Sequence, residues 1–589
     1  SIQHYQYRFS QTGTVAKKNK ELPFMSLKET KLEDGYSVSS SQFQTTTEQL
    51  SSDSKANDSP FISFFKSFKV DKTKVIKGAD VLTPEDSLRN YQIKLIALSS
   101  CIGSGLFISS ASMISSAGPA GTVIGYSIVA ILMFFVVQAL GELTSSYPVR
   151  GNFLIYNSRF IDESWAFAMN WNYCMQWIVS IPLSLVGASM TIQFWNDNIN
   201  PGAWVAIFWA FLCAINIFGV KGYGYGESVF SVIKVVAISG FAILGIILVA
   251  GGGKQGYIGG KNWHPPFANG FRGTCNTLVN AAFSFAGTEL AAIAAAETSN
   301  PHKALIKATK QIFWRIAVFY MLSVILLCFL VPFNDPKLLG NSNSSASPFV
   351  IAISNGGIKV LPSIFNAVIL IALLSVANAS VFATYKPLVA LAEAGHGPKF
   401  LAYLDRKGRP IFSILIALAF GLIGFVGASK NQETVFTWLL ALSGLSCIFI
   451  WFSISLAQVR VNYACKVQGL DLYRPFKAIG GDYGAYLSLL LNVLILMAQF
   501  YVALYPIGGK ALQADTFFQA YLAAPIVLVL YVGHKIWTRN WKMYIKAEDM
   551  DLLTGRNEID MDVAMQDHYD EKQRWKQKPW WYKALDIWC

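Results

Sequence analysis

Twelve long apolar runs dominate this chain and constrain its fold more than any other feature. An α-helix needs about 20 apolar residues to cross a bilayer, and each run approaches or exceeds that length. The runs cover roughly residues 93–117, 119–146, 165–195, 202–219, 227–251, 274–298, 312–333, 361–393, 410–429, 433–459, 484–506 and 514–537. Because lipid offers no hydrogen bonds to the backbone, the pattern predicts an all-α polytopic membrane protein with twelve transmembrane helices.

The composition excludes the other broad classes of protein. Charged residues make up 14% of the chain, whereas a soluble protein carries roughly a quarter. The net charge of +13 lies mostly in tails and loops, so no nucleic-acid partner is predicted. The eight cysteines form no CxxC pair and the six histidines have no metal-ligand spacing, so no metal and no cofactor are predicted.

The charge distribution predicts three zones and an orientation. Residues 1–91 are polar and are interpreted as a flexible cytoplasmic tail without a signal peptide. Residues 92–538 form the transmembrane domain, and residues 539–589 form a second cytoplasmic tail. With both termini in the cytoplasm, the short inner loops contain fourteen Lys and Arg residues and the outer loops seven, as the positive-inside rule requires.

Two of the predicted spans carry residues that weaken a helix. The first contains Gly103-Ser104-Gly105, and the sixth contains Gly287-Thr288 followed by Glu289. Both helices are therefore predicted to be broken. Close helix packing through small residues is the alternative for either segment alone. Their separation by five spans favours a five-plus-five inverted repeat.

A broken helix at membrane depth points to a binding site. Its free amides and carbonyls are tolerated only where they line a cavity. Amides at the start of a helix attract an anion, and carbonyls at the end of a helix attract a cation. A zwitterionic amino acid carries both charges, so the two segments predict an amino acid transporter.

The chain also resembles the fungal amino acid permeases of the amino acid–polyamine–organocation superfamily. The resemblance covers about residues 88–589. The motifs that carry it are Ile102–Phe107, Gly118–Gly121, Gln138–Leu143, Trp171–Tyr173, Ala282–Leu290, Ala295–Pro301, Lys310–Arg315, Ala346–Val350, Asp405–Pro410 and Trp588–Cys589.

This resemblance implies the five-plus-five inverted-repeat transporter fold with two more helices at the C-terminal end. It also implies proton-driven amino acid uptake across a fungal plasma membrane. It implies that the amides around Gly103, Ser104 and Gly105 bind the substrate α-carboxylate, while backbone carbonyls bind its α-ammonium. These carbonyls belong to Cys101, Phe283, Ser284 and Ala286. Phe283 resembles an aromatic gate. Ubiquitin ligase adaptors and a chaperone for packaging at the endoplasmic reticulum are implied as partners, besides the bilayer itself.

Two charges at membrane depth are candidates for proton coupling. The resemblance matches Lys234, in the fifth span, to a lysine that replaces a sodium ion near the broken first helix. Glu289 lies in the sixth span. Charge at this depth is costly and usually functional, although a snorkelling lysine and a structural carboxyl are the alternatives. Glu142 is an inner-gate candidate or a solvated end charge, and Cys589 is a palmitoylation candidate or a free thiol.

The candidate pocket walls are neutral, which favours neutral substrates. They are Phe283, Thr288, Met175, Ile181, Asn378 and Ser443. Polar packing is the alternative role for Ser375, Asn378 and Ser443. The chain departs from the family at Ser184, where glutamate is usual, and at Lys386, where arginine is usual. These departures leave a second function open, an amino acid sensor with a transporter fold. No span has paired carboxylates or a nucleophile elbow, so the chain is not predicted to be an enzyme.

Overall fold

The computed structural model describes residues 102–147, 153–196, 198–290, 319–340, 347–428, 432–470 and 476–554, with isolated positions elsewhere. Cys101, Cys589 and the predicted N-terminal tail lie outside the described residues. Residues 291–298 of the sixth predicted span lie outside them as well. Within these ranges every regular element is a helix, and the predicted all-α class is confirmed for this part of the chain.

The helices are numbered α1 to α15 in chain order. They are α1 (Ser110–Ser146), α2 (Phe153–Phe160), α3 (Glu163–Ile192), α4 (Pro201–Asn216), α5 (Gly219–Val249), α6 (Gly270–Phe285), α7 (Phe319–Leu330), α8 (Pro336–Gly340), α9 (Pro348–Asn355), α10 (Leu361–Glu393), α11 (Ile411–Gly421), α12 (Gln432–Val467), α13 (Gly481–Leu504), α14 (Ala514–Tyr521) and α15 (Ala523–Thr538). A π-helical turn, Gly105–Ser109, leads directly into α1.

The described helices include six that are long and apolar enough to cross a bilayer. They are α1 with its preceding turn, α3, α5, α10, α12 and α13. Helices α14 and α15 together form a seventh candidate that is bent by 71°. Helices α4, α7 and α11 are apolar but shorter. All of them fall on predicted spans, while the total of twelve stays a prediction.

Helix α1 is divided at Gly118, where the first two predicted spans meet. Gly118 adopts φ 75° and ψ 176°, and Pro119 follows it. A β-carbon at Gly118 would lie 2.8 Å from the amide nitrogen of Ala268, so this turn requires glycine. The amide of Ala268 also donates to the Ala117 carbonyl at 3.0 Å. The start of α6 is thereby held against the end of the first span.

The packing separates central helices from peripheral ones. Helix α3 is mostly buried, whereas α5 and α13 each expose a broad apolar face. On α5 the exposed side chains include Val229, Val236 and Ile243. An apolar face of this size on the outside of the molecule is suited to contact with lipid.

Residues 543–552 pack on the end of the bundle formed by α2, the start of α3 and the end of α12. Met550 and Leu552 are almost fully buried there. The amide of Ile545 donates to the Ile161 carbonyl at 2.9 Å, and the Tyr147 hydroxyl donates to the Leu552 carbonyl at 3.1 Å. Asp551 lies between these two buried residues in sequence. The Thr554 amide donates a hydrogen bond to the Asp551 carboxylate at 3.0 Å, which lowers the pKa of that carboxyl group.

Candidate substrate site

The first interrupted segment begins with a bend at Ile102 and Gly103. Helical geometry starts at Ser104 and continues through the π-helical turn. The amide of Phe107 donates to the Gly103 carbonyl at 3.1 Å, and the Ser347 hydroxyl donates to the Phe107 carbonyl at 2.7 Å. Ser347, which directly precedes α9, therefore stabilises the start of this helix.

The second interrupted segment follows α6. Helical geometry ends at Phe285, residues 286–289 form turns, and helix resumes at Leu290. Ala286 has an extended ψ of 141°, and Gly287 has a φ of 101°, which strongly favours glycine. The Thr288 hydroxyl donates to the Phe285 carbonyl at 2.8 Å and so stabilises the end of α6.

The two segments contact each other through a glycine. A β-carbon at Gly105 would lie 2.5 Å from the Ser284 Cα atom and 2.7 Å from its hydroxyl. A β-carbon at Gly103 would lie 2.2 Å from a methyl group of Val376 on α10. The Tyr126 and Ser284 hydroxyls form a 3.2 Å hydrogen bond beside this contact. Gly105 therefore permits a close approach of the two segments, and Gly103 a close approach to α10, that a side chain would prevent.

Two helix termini of opposite partial charge meet at this contact. The helix that starts after Gly103 presents the partial positive charge of its first amides. Helix α6, which ends at Phe285, presents the partial negative charge of its last carbonyls. Gly103, Ser104, Gly105, Phe283, Ser284, Ala286 and Thr288 are all buried here. The arrangement can bind an anion and a cation side by side.

Lys234 is fully buried and contacts the first interrupted segment directly. Its ammonium donates to the Ile102 carbonyl at 3.2 Å and to the Ser375 hydroxyl at 2.7 Å. The Ser375 hydroxyl in turn donates to the Glu227 carboxylate at 2.6 Å. Glu227 is also fully buried, with an oxygen 3.5 Å from the Lys234 nitrogen. The lysine therefore does not snorkel to the membrane surface.

Sequence reasoning missed Glu227. The apolar run of the fifth span begins at residue 227, but α5 begins at Gly219, so Glu227 lies two turns inside the helix. A signal was present, since Glu227 and Lys234 are seven residues apart and so share a helix face.

Glu289 belongs to a different cluster. Its carboxylate accepts a hydrogen bond from the Gly287 amide at 3.2 Å. It interacts electrostatically with Tyr173 on α3 and Cys447 on α12, and lies near Trp451. The two predicted coupling residues thus occupy separate places, Lys234 beside the first interrupted segment and Glu289 within the second.

Glu142 is buried near the end of α1 rather than solvated. Its carboxylate accepts hydrogen bonds from Gln458 on α12 at 2.9 Å and from the Ala478 amide at 2.9 Å. It also forms an ion pair with Arg474. The carboxylate therefore joins α1, α12 and the segment that leads into α13.

The remaining candidate residues line the interior in different ways. Ile181 is buried, and Met175 is partly exposed. The Ser443 hydroxyl donates to the Gln176 carbonyl at 3.2 Å, and the Asn378 amide oxygen accepts from Asn216 at 3.1 Å. These two contacts fit the polar-packing alternative.

The two departures from the family pattern differ in environment. Ser184 is fully buried on α3, in the interior of the bundle. Lys386 is partly exposed on α10, and its ammonium lies 6.0 Å from the Tyr385 ring centroid. The position of the missing carboxyl is therefore an interior one, and the lysine lies near an aromatic face.

Together, the fold and the site define an all-helical multi-pass membrane protein with a buried polar backbone site between its helices. A family model described as amino acid permease matches residues 92–547. The chain belongs to the amino acid permease family. Members of this family are membrane transporters rather than enzymes, and the predicted resemblance is confirmed.

The similar proteins match most of the chain. The general amino-acid permease GAP2 of Candida albicans is 49% identical over 85% of this chain and 87% of its own length. The general amino-acid permease GAP1 of Saccharomyces cerevisiae is 48% identical, with 85% of each chain covered. The histidine permease of Saccharomyces cerevisiae is 46% identical, with 84% of each chain covered.

Proposed function

We propose that this protein imports amino acids across a plasma membrane by proton-coupled alternating access. The observation that carries the proposal is the contact between the two interrupted segments, where Gly105 meets Ser284 with no room for a β-carbon. A helix start and a helix end converge there, and an amino acid has a carboxylate and an ammonium group for the two ends.

In this proposal the substrate binds through backbone groups. The amides of Gly103, Ser104 and Gly105 bind the α-carboxylate. The α-ammonium binds to carbonyls of Cys101, Phe283, Ser284 and Ala286. Phe283 closes over the substrate as a gate, and Thr288 lines the side-chain pocket. The neutral residues around this pocket support neutral amino acids as substrates.

Lys234 and Glu289 are the proposed proton-coupling groups. Each is a buried charged residue next to one interrupted segment. A change of protonation beside the Ile102 carbonyl or the Gly287 amide alters hydrogen bonds that define the segment's geometry. Protonation and substrate binding can therefore favour the same conformational change.

The proposed topology has twelve transmembrane helices, arranged as five plus five in inverted repeat with two more at the end. The transmembrane domain covers residues 92–538, and both tails, 1–91 and 539–589, are cytoplasmic. Glu142 acts as part of an inner gate. Cys589 is a palmitoylation site, and ubiquitin ligase adaptors and a packaging chaperone are partners of the tails.

A sensor with a transporter fold is the second candidate function. The observation that favours it is Ser184, a buried neutral residue at a position where fungal permeases usually carry glutamate. A missing titratable group weakens the case for coupled transport. Binding of amino acids without flux would distinguish this function.

The test is uptake of radiolabelled amino acids by permease-deficient yeast that express the chain, at pH 5 and pH 7, with and without a protonophore. We expect saturable uptake that the protonophore abolishes, and loss of this uptake in Lys234→Ala and Glu289→Gln. An absence of uptake by protein that reaches the plasma membrane contradicts the proposal. Ligand-induced stabilisation of that same protein would favour the sensor.

A further inference from the structure

Lys234, Ser375 and Glu227 form a continuous chain of hydrogen bonds in the interior. The ammonium of Lys234 donates to the Ser375 hydroxyl at 2.7 Å, and that hydroxyl donates to the Glu227 carboxylate at 2.6 Å. All three side chains are fully buried. The ammonium and the carboxylate are 3.5 Å apart, longer than the roughly 2.7–2.9 Å of a direct charge-assisted bond. Each hydrogen bond through the Ser375 hydroxyl is therefore shorter than the direct distance between the Lys234 ammonium and the Glu227 carboxylate.

A buried ion pair of this kind is a poor way to stabilise a fold. Removing two charges from water costs several kcal/mol per ion, and the mutual attraction only partly offsets that cost. Apolar residues would hold α5 to α10 at least as well. A transfer of the proton between the partners would leave both neutral in the same place, a change of charge that apolar residues cannot undergo.

The chain of bonds leads away from the candidate substrate site. Lys234 contacts Ile102 in the first interrupted segment. Glu227 lies two turns closer to the start of α5, about 10 Å along the helix. That start is at Gly219, which packs on the Arg409 side chain, and Arg409 donates to the Ile217 carbonyl at 2.9 Å. In the proposed topology this is the cytoplasmic side.

Further polar groups surround Glu227 in the interior. Tyr223 on α5 is titratable and interacts electrostatically with Glu227 and with a second titratable group, Tyr385 on α10. Asn216 on α4 and Asn378 on α10 are hydrogen-bonded to each other next to α5. Lys386 lies over the Tyr385 ring at 6.0 Å. Polar groups from three helices thus continue from Glu227 toward the end of the bundle at Arg409.

We infer that Glu227 is the internal proton acceptor for Lys234, with Ser375 as the relay between them. This inference rests on the proposed function. In the transfer, a Lys234 N–H bond breaks as a new Ser375 O–H bond forms, and the original Ser375 O–H bond breaks as a Glu227 O–H bond forms. The result is a neutral amine and a neutral carboxylic acid. Loss of the ammonium charge weakens the bond to the Ile102 carbonyl and so couples the proton to the substrate site.

The test uses the full chain in proteoliposomes and compares two readouts. Counterflow measures exchange of labelled for unlabelled amino acid and needs no net proton movement. Accumulation driven by an imposed pH gradient needs coupling. Glu227→Gln should keep counterflow but lose accumulation by about tenfold or more, with a flattened pH profile. Glu227→Asp should restore part of the accumulation.

A second variant and a control complete the design. Ser375→Ala keeps both charges and removes the relay hydroxyl, so it should also lower accumulation more than counterflow. Glu163→Gln removes an exposed carboxylate at the start of α3 and should behave like wild type. Accumulation and a pH profile in Glu227→Gln equal to wild type would overturn the inference, as would parallel loss of counterflow and Tm.

The outcome for the wild type separates this inference from the proposed function. If the wild type accumulates amino acid under the gradient and Glu227→Gln does so equally, only the inference fails. If the wild type itself shows no gradient-driven accumulation, the proposed function fails and the inference fails with it.

Discussion

The contacts of the first interrupted segment leave no space for a β-carbon at its two glycines. At Gly105 a methyl group would overlap the backbone of Ser284, and at Gly103 it would overlap Val376. Ser284 cannot move easily, since it is hydrogen-bonded to Tyr126 and to the Asn280 carbonyl. We therefore expect the candidate substrate site to be most sensitive at residues that contribute no side chain.

Gly105→Ala should abolish most amino acid uptake although the protein still reaches the membrane. The added β-carbon would lie 2.5 Å from the Ser284 Cα atom, and overpacking of this kind costs about 1–3 kcal/mol. The measurement is the initial uptake rate at equal surface amounts. Gly240→Ala, also a helical position but with no atom within 4 Å of the added carbon, is the matched control. Similar uptake by the two variants would contradict the expected role of Gly105.

Residue-level reasoning from the sequence found some charges and missed others for physical reasons. Lys234 and Glu289 were identified because charge in an apolar run is costly. Glu227 is the first residue of its apolar run and so resembles an end charge, whereas α5 extends eight residues further and places it inside the helix. The partners of Glu142 could not be predicted, since Arg474 and Gln458 are more than 300 residues away in sequence and no local pattern connects them.

At the level of helices, the Glu142 carboxylate connects α1 with α12 and with the segment before α13. Glu142→Ala should lower Tm, because it leaves the Arg474 guanidinium and the Ala478 amide without this acceptor. An unsatisfied buried group costs about 1–3 kcal/mol. Thermal unfolding of the detergent-solubilised protein is the measurement. Lys466→Ala breaks the exposed pair with Asp482 and should leave Tm unchanged; equal effects from both variants would refute this assignment.

The segment 543–552 should stabilise the end of the bundle against which it packs. Replacing Met550 and Leu552 with Ser places hydroxyl groups in a buried apolar site, so Tm should fall and the segment should become more sensitive to protease. Leu553→Ser is the adjacent control, since Leu553 is 59% exposed. A fall in Tm for Leu553→Ser as large as for the double variant would argue against specific packing.

The helical elements were more predictable than their ends. Gly118-Pro119 separates the first two spans in sequence and in structure, because that pair cannot continue a helix. Helix α5 is longer than its apolar run, and Tyr223 in this extension is buried and stacks on Phe382 of α10 rather than lying in water. Burial of polar residues between helices has no signature in hydropathy, so such extensions escape sequence analysis.

For the whole molecule, the apolar runs predicted the helical membrane class, and the family match extends over residues 92–547. In the proposed function, the direction and coupling of transport depend on how buried charges connect the candidate site to either side of the membrane. That arrangement follows from tertiary contacts among α5, α10 and the first interrupted segment, which sequence periodicity does not encode.

The most direct test of the account is whether amino acid movement carries protons. Purified protein in liposomes with an internal pH-sensitive dye would be given an inside-negative potential and then a neutral amino acid. We expect the lumen to become more acidic upon addition of amino acid, and we expect no such change with Lys234→Ala. Entry of labelled amino acid without any change of internal pH would contradict it.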